Sequence, residues 1–166
     1  MALNESLLKE LQGEAAATRK MLERIPEDKY GWKPHEKSMT MGNLAAHLAE
    51  NLGWAALIID TDDFNFESSG YKPPEIKTKE ELLKMFDDGL SKAVASFKNA
   101  DDKRLNGNWI MRSNDKVYID SPRTEVLRSF FFSHSAHHRG QLSVYMRIND
   151  IPLPQIYGPT ADDKSF

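Results

Sequence analysis

The sequence predicts an all-α fold, a four-helix bundle with long connections between the helices. Four segments carry apolar residues at the three- and four-residue spacing of an amphipathic helix, and nearly all of the apolar pattern lies in them. The length of 166 residues suits one domain with one hydrophobic core, so a single domain is expected over residues 1–166. Long helices with one apolar face each are typical of a bundle.

The first two helices are each marked at one end by a characteristic residue. The first is predicted over residues 4–25, and Pro26 ends it because proline cannot continue a helix interior. The second is predicted over residues 40–58, with Thr40 as its N-cap. The segment between them, residues 26–39, contains two prolines and a glycine and is expected to be a long loop.

The third and fourth helices have clear starting signals. The third is predicted over residues 78–97 and begins with a threonine and a glutamate in capping-box spacing. The fourth is predicted over residues 121–148, with a serine N-cap followed by proline at the first helical position. The polar segment 60–77 is expected to be a loop. Residues 109–120 alternate apolar and polar side chains around Asn-Asp, which allows a short hairpin between the third and fourth helices.

Composition excludes several classes of protein. Twenty-two basic and 25 acidic residues give a net charge of -3, without the concentrated basic stripe that nucleic-acid binding requires. The chain has no cysteine, which excludes disulfides, thiolate metal sites and a cysteine nucleophile. No apolar run approaches the ~20 residues of a membrane span, and the N-terminus does not resemble a signal peptide. A cytoplasmic protein with no membrane partner is expected.

Three histidines interrupt the apolar faces of the second and fourth helices. His134 and His138, in the stretch SHSAHHRGQ, are four residues apart and share one face, and His47 lies on the apolar face of the second helix. Burying an unpaired polar group costs about 1–3 kcal/mol, so these imidazoles need a partner. Zinc, nickel, copper or iron would supply one, and three nitrogens with open positions are typical of a catalytic metal site. The alternative is three hydrogen-bonded core histidines.

Other polar residues near this face are weaker candidates for catalytic roles. Glu50, one turn after His47, is either a partner of that histidine or a solvated residue, and the solvated interpretation is favoured. His137 is turned by about 100° from the face of the histidine pair. Tyr145 lies on that face, where it would donate to a substrate oxygen or pack in the core. His35 is expected on the surface of the first loop.

A few further residues have two interpretations each. Gly140 in a helix interior costs about 1 kcal/mol relative to alanine, which indicates close approach of another helix or of a partner chain. Arg139 beside it would pair with an acid or be solvated. Trp54, Trp109 and Phe64 would line an aromatic pocket or, as the favoured interpretation, simply pack in the core.

Three stretches resemble landmarks of the DinB/YfiT-like superfamily of small metal-dependent proteins. HHRGQL, preceded by a histidine three residues earlier, resembles the signature of its C-terminal helix, and RINDIPLPQIYGP resembles the segment that follows. WKPHEKSMTMGNLAAHLAE resembles the other landmark, a loop that leads into a helix with one histidine. The resemblance extends from about Trp32 to Pro159, and no landmark matches within residues 60–120.

The resemblance implies a four-helix bundle, often homodimeric, with one divalent metal. Its ligands would be His47, His134 and His138, and the metal would be zinc or nickel, with iron as a further candidate. Some members are transferases or isomerases that use bacillithiol or mycothiol, so a low-molecular-weight thiol is an expected cofactor. The superfamily name refers to DNA damage but implies no DNA chemistry.

Three hypotheses for function follow. In the first, the protein is a metal-dependent enzyme that transfers a thiol to a small-molecule electrophile, because a metal lowers the pKa of a coordinating thiol. In the second, it is a hydrolase that uses metal-bound water. In the third, it is a non-catalytic stress-response or binding module with a structural metal, which would require a fourth ligand such as Glu50.

Overall fold

The computed structural model describes residues 2–164 and contains four long α-helices, three short α-helices, a 3₁₀-helical turn (Glu27–Lys29) and three strands among them. The long helices are α1 (Leu3–Arg24), α2 (Met41–Asp60), α4 (Lys79–Asn99) and α7 (His134–Ile148). The short helices are α3 (Phe66–Ser69), α5 (Asp102–Asn106) and α6 (Arg123–Val126), and a π-helical segment, Leu127–Ser133, joins α6 to α7. The strands are β1 (Asp63–Asn65), β2 (Asn108–Ser113) and β3 (Lys116–Pro122).

The first three long helices begin and end close to the predicted positions. Thr40 caps α2, where its hydroxyl accepts from the backbone N–H of Asn43 at 3.1 Å. At the start of α4, Thr78 and Glu81 form the predicted capping box, with reciprocal bonds of 3.1 and 3.2 Å. Helix α1 ends at Arg24, two residues before the proline. These side chains satisfy N–H groups that a helix start leaves unpaired.

The all-α prediction was wrong in one respect, because the chain also forms a small mixed sheet in the order β1-β2-β3. The hairpin between the third and fourth predicted helices is confirmed as the antiparallel pair β2 and β3. Strand β1 pairs in parallel with β2 and, with α3, lies inside residues 60–77, where only a loop was expected. Its three residues pair with a strand more than 40 positions away, so no local pattern marks it.

The fourth predicted helix begins two residues later than expected and changes its winding. Ser121 and Pro122 pair with β2 as the end of β3, and the helix starts at Arg123. Their backbone is extended because the hairpin needs it, which overrides the N-cap signal. Seven residues of π-helix then precede α7, so the predicted single helix consists of α6, the π-helical segment and α7.

Helices α2 and α4 pack closely at Gly89. A Cβ at this position would lie 3.1 Å from the Cβ of Leu52 and 3.4 Å from the backbone nitrogen of Gly53. The glycine therefore permits the approach of the two helices. At Gly140, by contrast, a Cβ would meet nothing within 4 Å, so the predicted approach of another helix of this chain was wrong. Approach of a partner chain stays a prediction.

A buried arginine fastens the sheet to the helices. Arg123 is 2% exposed, and its guanidinium spans the end of α2, the start of β2 and the connection to β1. Its acceptors are the backbone oxygens of Ile58, Thr61, Gly107 and Asn108 and the carboxylate of Asp62. Trp109 packs beside this network, fully buried, and donates from Nε1 to the hydroxyl of Thr61 at 3.0 Å.

None of the helices within residues 2–164 is long and apolar enough to span a membrane.

Candidate metal centre

The three predicted histidines come together between α2 and α7. Nε2 of His47 lies 2.8 Å from Nε2 of His134, and one nitrogen from each of the three rings lies within 4.8 Å of the others. The ring of His138 is 4.4 Å from that of His134 and 4.7 Å from that of His47. The apolar stripe therefore identified the residues that cluster, and the three nitrogens could hold a metal ion.

Two of the rings are oriented by hydrogen bonds at Nδ1. Nδ1 of His47 lies 2.8 Å from Oε1 of Glu50, and Nδ1 of His138 lies 2.7 Å from Oε1 of Gln141. A carboxylate or amide oxygen can only accept, so both rings carry their proton on Nδ1, and Nε2 of each ring has the lone pair that can accept a hydrogen bond or bind a metal. Because His47 accepts at Nε2, the ring of His134 donates to it from Nε2.

The favoured interpretation of Glu50 as a solvated residue was wrong. Its side chain is only 11% exposed, and its carboxylate bonds His47 on its own helix. The spacing of three residues on α2 places both side chains on adjacent parts of one face. The alternative that the sequence allowed, a partner of His47, describes the observed contact.

The environment favours the neutral form of the two histidines on α7. Burial, followed by the neighbouring imidazoles, lowers the pKa of His134 to about 4. Burial also lowers the pKa of His138, against the opposing effect of its bond to Gln141. Metal ligands must be deprotonated, so rings that resist protonation fit the donor set that a divalent metal requires.

The π-helical segment Leu127–Ser133 ends directly before His134 and sets the position of that ring. Asn51, one turn after His47 on α2, donates to the backbone oxygen of Phe131 at 3.3 Å and to the hydroxyl of Ser135 at 2.5 Å. This side chain ties α2 to the chain on either side of His134. π-Helical turns are frequent at functional sites, and no feature of the sequence marked this one.

Five aromatic rings form a cluster beside the histidines. The centroid of Trp54 lies 4.9 Å from that of Phe64, 5.5 Å from Tyr71 and 5.7 Å from Phe130, and Phe66 completes the group. These five residues are called the aromatic cluster below. Trp54 and Phe64 are half-buried and pack against the hydrophobic core, and Trp109 is fully buried, which agrees with the favoured interpretation of all three.

A cleft of about 960 Å³ reaches the histidine cluster at His47, the one member of the trio that lines it. One wall is the first half of α2, with His47 and Glu50, and the other is the segment 71–77. At its edge, the hydroxyl of Tyr71 lies 3.0 Å from both carboxylate oxygens of Glu50. Burial and this carboxylate raise the pKa of Tyr71 to about 12. Sequence reasoning missed Tyr71, because it lies in a polar segment without periodicity.

The remaining candidates lie outside the three-histidine cluster. His137 is exposed, with its ring 5.0 Å from that of His138. Tyr145 packs edge-to-face on Trp32 at 5.5 Å. His35 is exposed in its loop, as expected.

Arg139, the central residue of the HHRGQ motif, is a buried structural residue. It is 3% exposed, and it pairs with the carboxylate of Glu14 on α1, bonds the hydroxyl of Thr18 at 2.9 Å and contacts the hydroxyl of Tyr157 in the C-terminal segment. Of the two interpretations of this arginine, the pairing with an acid is confirmed. It fastens α1 and the C-terminal segment to the back of α7.

Comparison with known proteins agrees with the fold and the motifs. The family model of the DinB family matches residues 1–164. Uncharacterized protein YrdA of Bacillus subtilis (strain 168) is 24% identical over 159 residues, which cover 96% of this chain and 90% of YrdA.

Solved structures give the same result. The crystal structure of a DinB-like protein of Bacillus subtilis, YjoA, superposes with a TM-score of 0.72 at 19% identity and covers 96% of this chain and 99% of its own. A DinB-like protein of Bacillus cereus ATCC 10987 has a TM-score of 0.70 at 20% identity, with coverage of 92% and 97%. At such identities the likeness shows the fold.

Proposed function

Because the chain belongs to the DinB family, we propose that His47, His134 and His138 bind one divalent metal ion that serves a small-molecule reaction in the adjoining cleft. One observation carries the proposal: a nitrogen from each of the three imidazoles converges at one point, and His47 of this trio also lines a cleft of about 960 Å³. Zinc and nickel suit an all-imidazole donor set, and iron is a further candidate.

The donor set favours an open site over a closed structural one. Structural zinc sites usually have four protein ligands, and the fourth candidate was Glu50. Its Oε1 bonds Nδ1 of His47, on the opposite side of the ring from Nε2, so the carboxylate orients a ligand instead of joining the ligands. Three ligands leave positions for a small molecule, which supports an enzyme over a non-catalytic binding module.

Thiol transfer is the reaction class that these residues favour. A bound metal would lower the pKa of a low-molecular-weight thiol and hold it as the thiolate nucleophile. Hydrolysis would further require a general base, and Glu50 already accepts from both His47 and Tyr71. His137 is exposed and outside the cluster, and the chain's lack of cysteine fits a borrowed thiol. A thiol-dependent transferase therefore stands ahead of a hydrolase.

The test is elemental analysis of the untagged protein, with one variant and one matched control. We expect roughly one zinc or nickel ion per chain in the wild type and almost none in His134→Ala, which removes one of three ligands. His137→Ala, an exposed histidine on the same helix, should retain the wild-type content. Wild-type protein that retains no metal after supplementation and desalting would contradict the proposal.

If the metal is present, activity with bacillithiol-type thiols and small electrophiles tests the reaction class. We expect thiol transfer by the wild type and His137→Ala, and none by His134→Ala. Metal-loaded protein that hydrolyses esters or amides but transfers no thiol would favour the hydrolase. The homodimer implied by the resemblance and the cytoplasmic location expected from the composition stay predictions, which cross-linking and fractionation would test.

A further inference from the structure

We infer that Tyr71 is a positioning residue for the metal centre, because its hydroxyl holds Glu50 in the orientation that fixes the ring of His47. The hydrogen bonds among the three residues are observed without any metal. The effect of Tyr71 on metal binding rests on the proposed function. Tyr71 would act through Glu50 and not as a metal ligand.

The three groups form a continuous chain of hydrogen bonds. The Tyr71 hydroxyl lies 3.0 Å from each carboxylate oxygen of Glu50, and Oε1 of Glu50 lies 2.8 Å from Nδ1 of His47. The Glu50 side chain is only 11% exposed, so protein donors replace most of its contact with water. Without the phenol, one donor to a largely buried carboxylate would be lost, and the carboxylate could turn toward solvent.

Tyr71 is itself held in place from two sides. Its ring packs in the aromatic cluster, 5.5 Å from Trp54 and 6.1 Å from Phe66. Directly before it, Gly70 ends α3 with a φ of +65°, a left-handed conformation that glycine adopts without strain. The backbone N–H of Tyr71 then donates to the hydroxyl of Ser69 at 3.1 Å. These contacts restrain the phenol where it reaches Glu50, although the residue is 37% exposed.

The same side chain also lines the cleft. Tyr71 is the first residue of the 71–77 wall. This wall faces His47 and Glu50 on the other side of the cleft, whose volume is about 960 Å³. A molecule that displaces this wall also displaces the donor to Glu50. Such a displacement would release the bond that orients Glu50 toward His47.

Tyr71→Phe tests the inference most directly, because it removes the hydroxyl and keeps the ring in the aromatic cluster. The first measurement is the imidazole tautomer of His47 by nitrogen NMR in metal-free protein, above the ordinary histidine pKa of about 6.5. We expect the Nδ1–H tautomer in the wild type and a mixture of tautomers in the variant. Tyr118→Phe, an exposed tyrosine on β3, is the matched control and should leave the tautomer unchanged.

The second measurement is zinc affinity by competition with a chromogenic chelator. Loss of a residue that orients a ligand typically costs 10–100-fold in affinity, so we expect Tyr71→Phe to weaken binding about tenfold. Glu50→Ala should weaken it at least as much. The double variant should bind no more weakly than Glu50→Ala alone, because Tyr71 acts through Glu50.

The outcomes separate this inference from the proposed function. A His47 tautomer that is unchanged in Tyr71→Phe would overturn the positioning role, whatever the metal affinity. Additive losses in the double variant would overturn the route through Glu50. If the tautomer changes but the wild type binds no zinc or nickel, the proposed function fails and the positioning role of Tyr71 stands.

Discussion

His134 has a strongly altered protonation equilibrium. Its pKa of about 4 in the folded protein compares with about 6.5 in an unfolded chain. Above about pH 6.5 both states hold a neutral ring. Between about pH 6.5 and about pH 4, the unfolded chain binds a proton that the folded chain does not, so acid favours unfolding. The contribution of this residue is therefore constant above that window and destabilising within it.

We predict that the free energy of unfolding of the metal-free protein falls as the pH is lowered from about 6.5 to about 4. The lowered pKa of His138 acts in the same direction. Urea unfolding across this range, after chelation, measures the effect. His134→Asn should reduce the pH dependence and His137→Ala should preserve it. An equal slope in His134→Asn and the wild type would contradict the assignment to His134.

The trio of histidines could be predicted because each one replaces an apolar residue in a periodic stripe. Their partners differ in this respect. Glu50 is a typical exposed helix residue by sequence, and only the phenol of Tyr71 and the ring of His47 give it a buried environment. Tyr71 reaches it across 21 residues from an irregular segment, a contact that no local pattern encodes.

Among the elements, the contact of α2 with α4 depends on one missing side chain. At Gly89 a new Cβ would press on the Cβ of Leu52, which cannot move without its backbone. Gly13 in α1 offers the opposite case, because a Cβ there would meet nothing within 4 Å. An alanine at Gly13 therefore changes helix propensity alone, whereas an alanine at Gly89 changes both helix propensity and packing.

We predict that Gly89→Ala lowers the free energy of unfolding by about 1 kcal/mol, because an overpacking cost of about 1–3 kcal/mol exceeds the gain of about 0.5–1 kcal/mol from replacing a helical glycine. Gly13→Ala should raise it by about 0.5–1 kcal/mol, because alanine favours the helix. Urea midpoints of the two variants check both signs. A Gly89→Ala variant as stable as Gly13→Ala would show that α2 and α4 separate at little cost.

The elements with strong local signals were predicted well. Helices α1, α2 and α4 have periodic stripes, and the capping residues Thr40 and Thr78 mark the starts of two of them. Strand β1 and the π-helical segment were missed for physical reasons. Three residues of β1 depend on pairing with β2, and a π-helical turn arises within a sequence that continues to favour α-helix.

At the scale of the whole molecule, a metal at the histidine cluster would join two distant parts of the chain. His47 and His134 are 87 residues apart in sequence and belong to α2 and α7. The unfolded chain holds no such arrangement, so a bound ion stabilises the folded state alone. At a free concentration of about 100 times Kd this amounts to about 2.7 kcal/mol.

We therefore predict that zinc or nickel at such a concentration raises the Tm by about 5–10 °C. Thermal unfolding followed by circular dichroism, with and without the ion, measures the shift. His134→Ala should show little change, and His137→Ala should respond like the wild type. An equal shift in His134→Ala would mean that the ion binds elsewhere.

The separation of the ligands along the chain has a consequence for biosynthesis. During synthesis, His47 emerges early and presents a single imidazole, whereas His134 and His138 follow 87 and 91 residues later. The pocket for the ion cannot exist until α7 has left the ribosome and docked against α2. Arg139 also lies on α7, so its contacts with Glu14 of α1 and Tyr157 of the C-terminal segment form at the same late stage. If the cluster binds a metal as proposed, loading would follow the synthesis and docking of α7, and a truncated product that lacks α7 would not capture the ion.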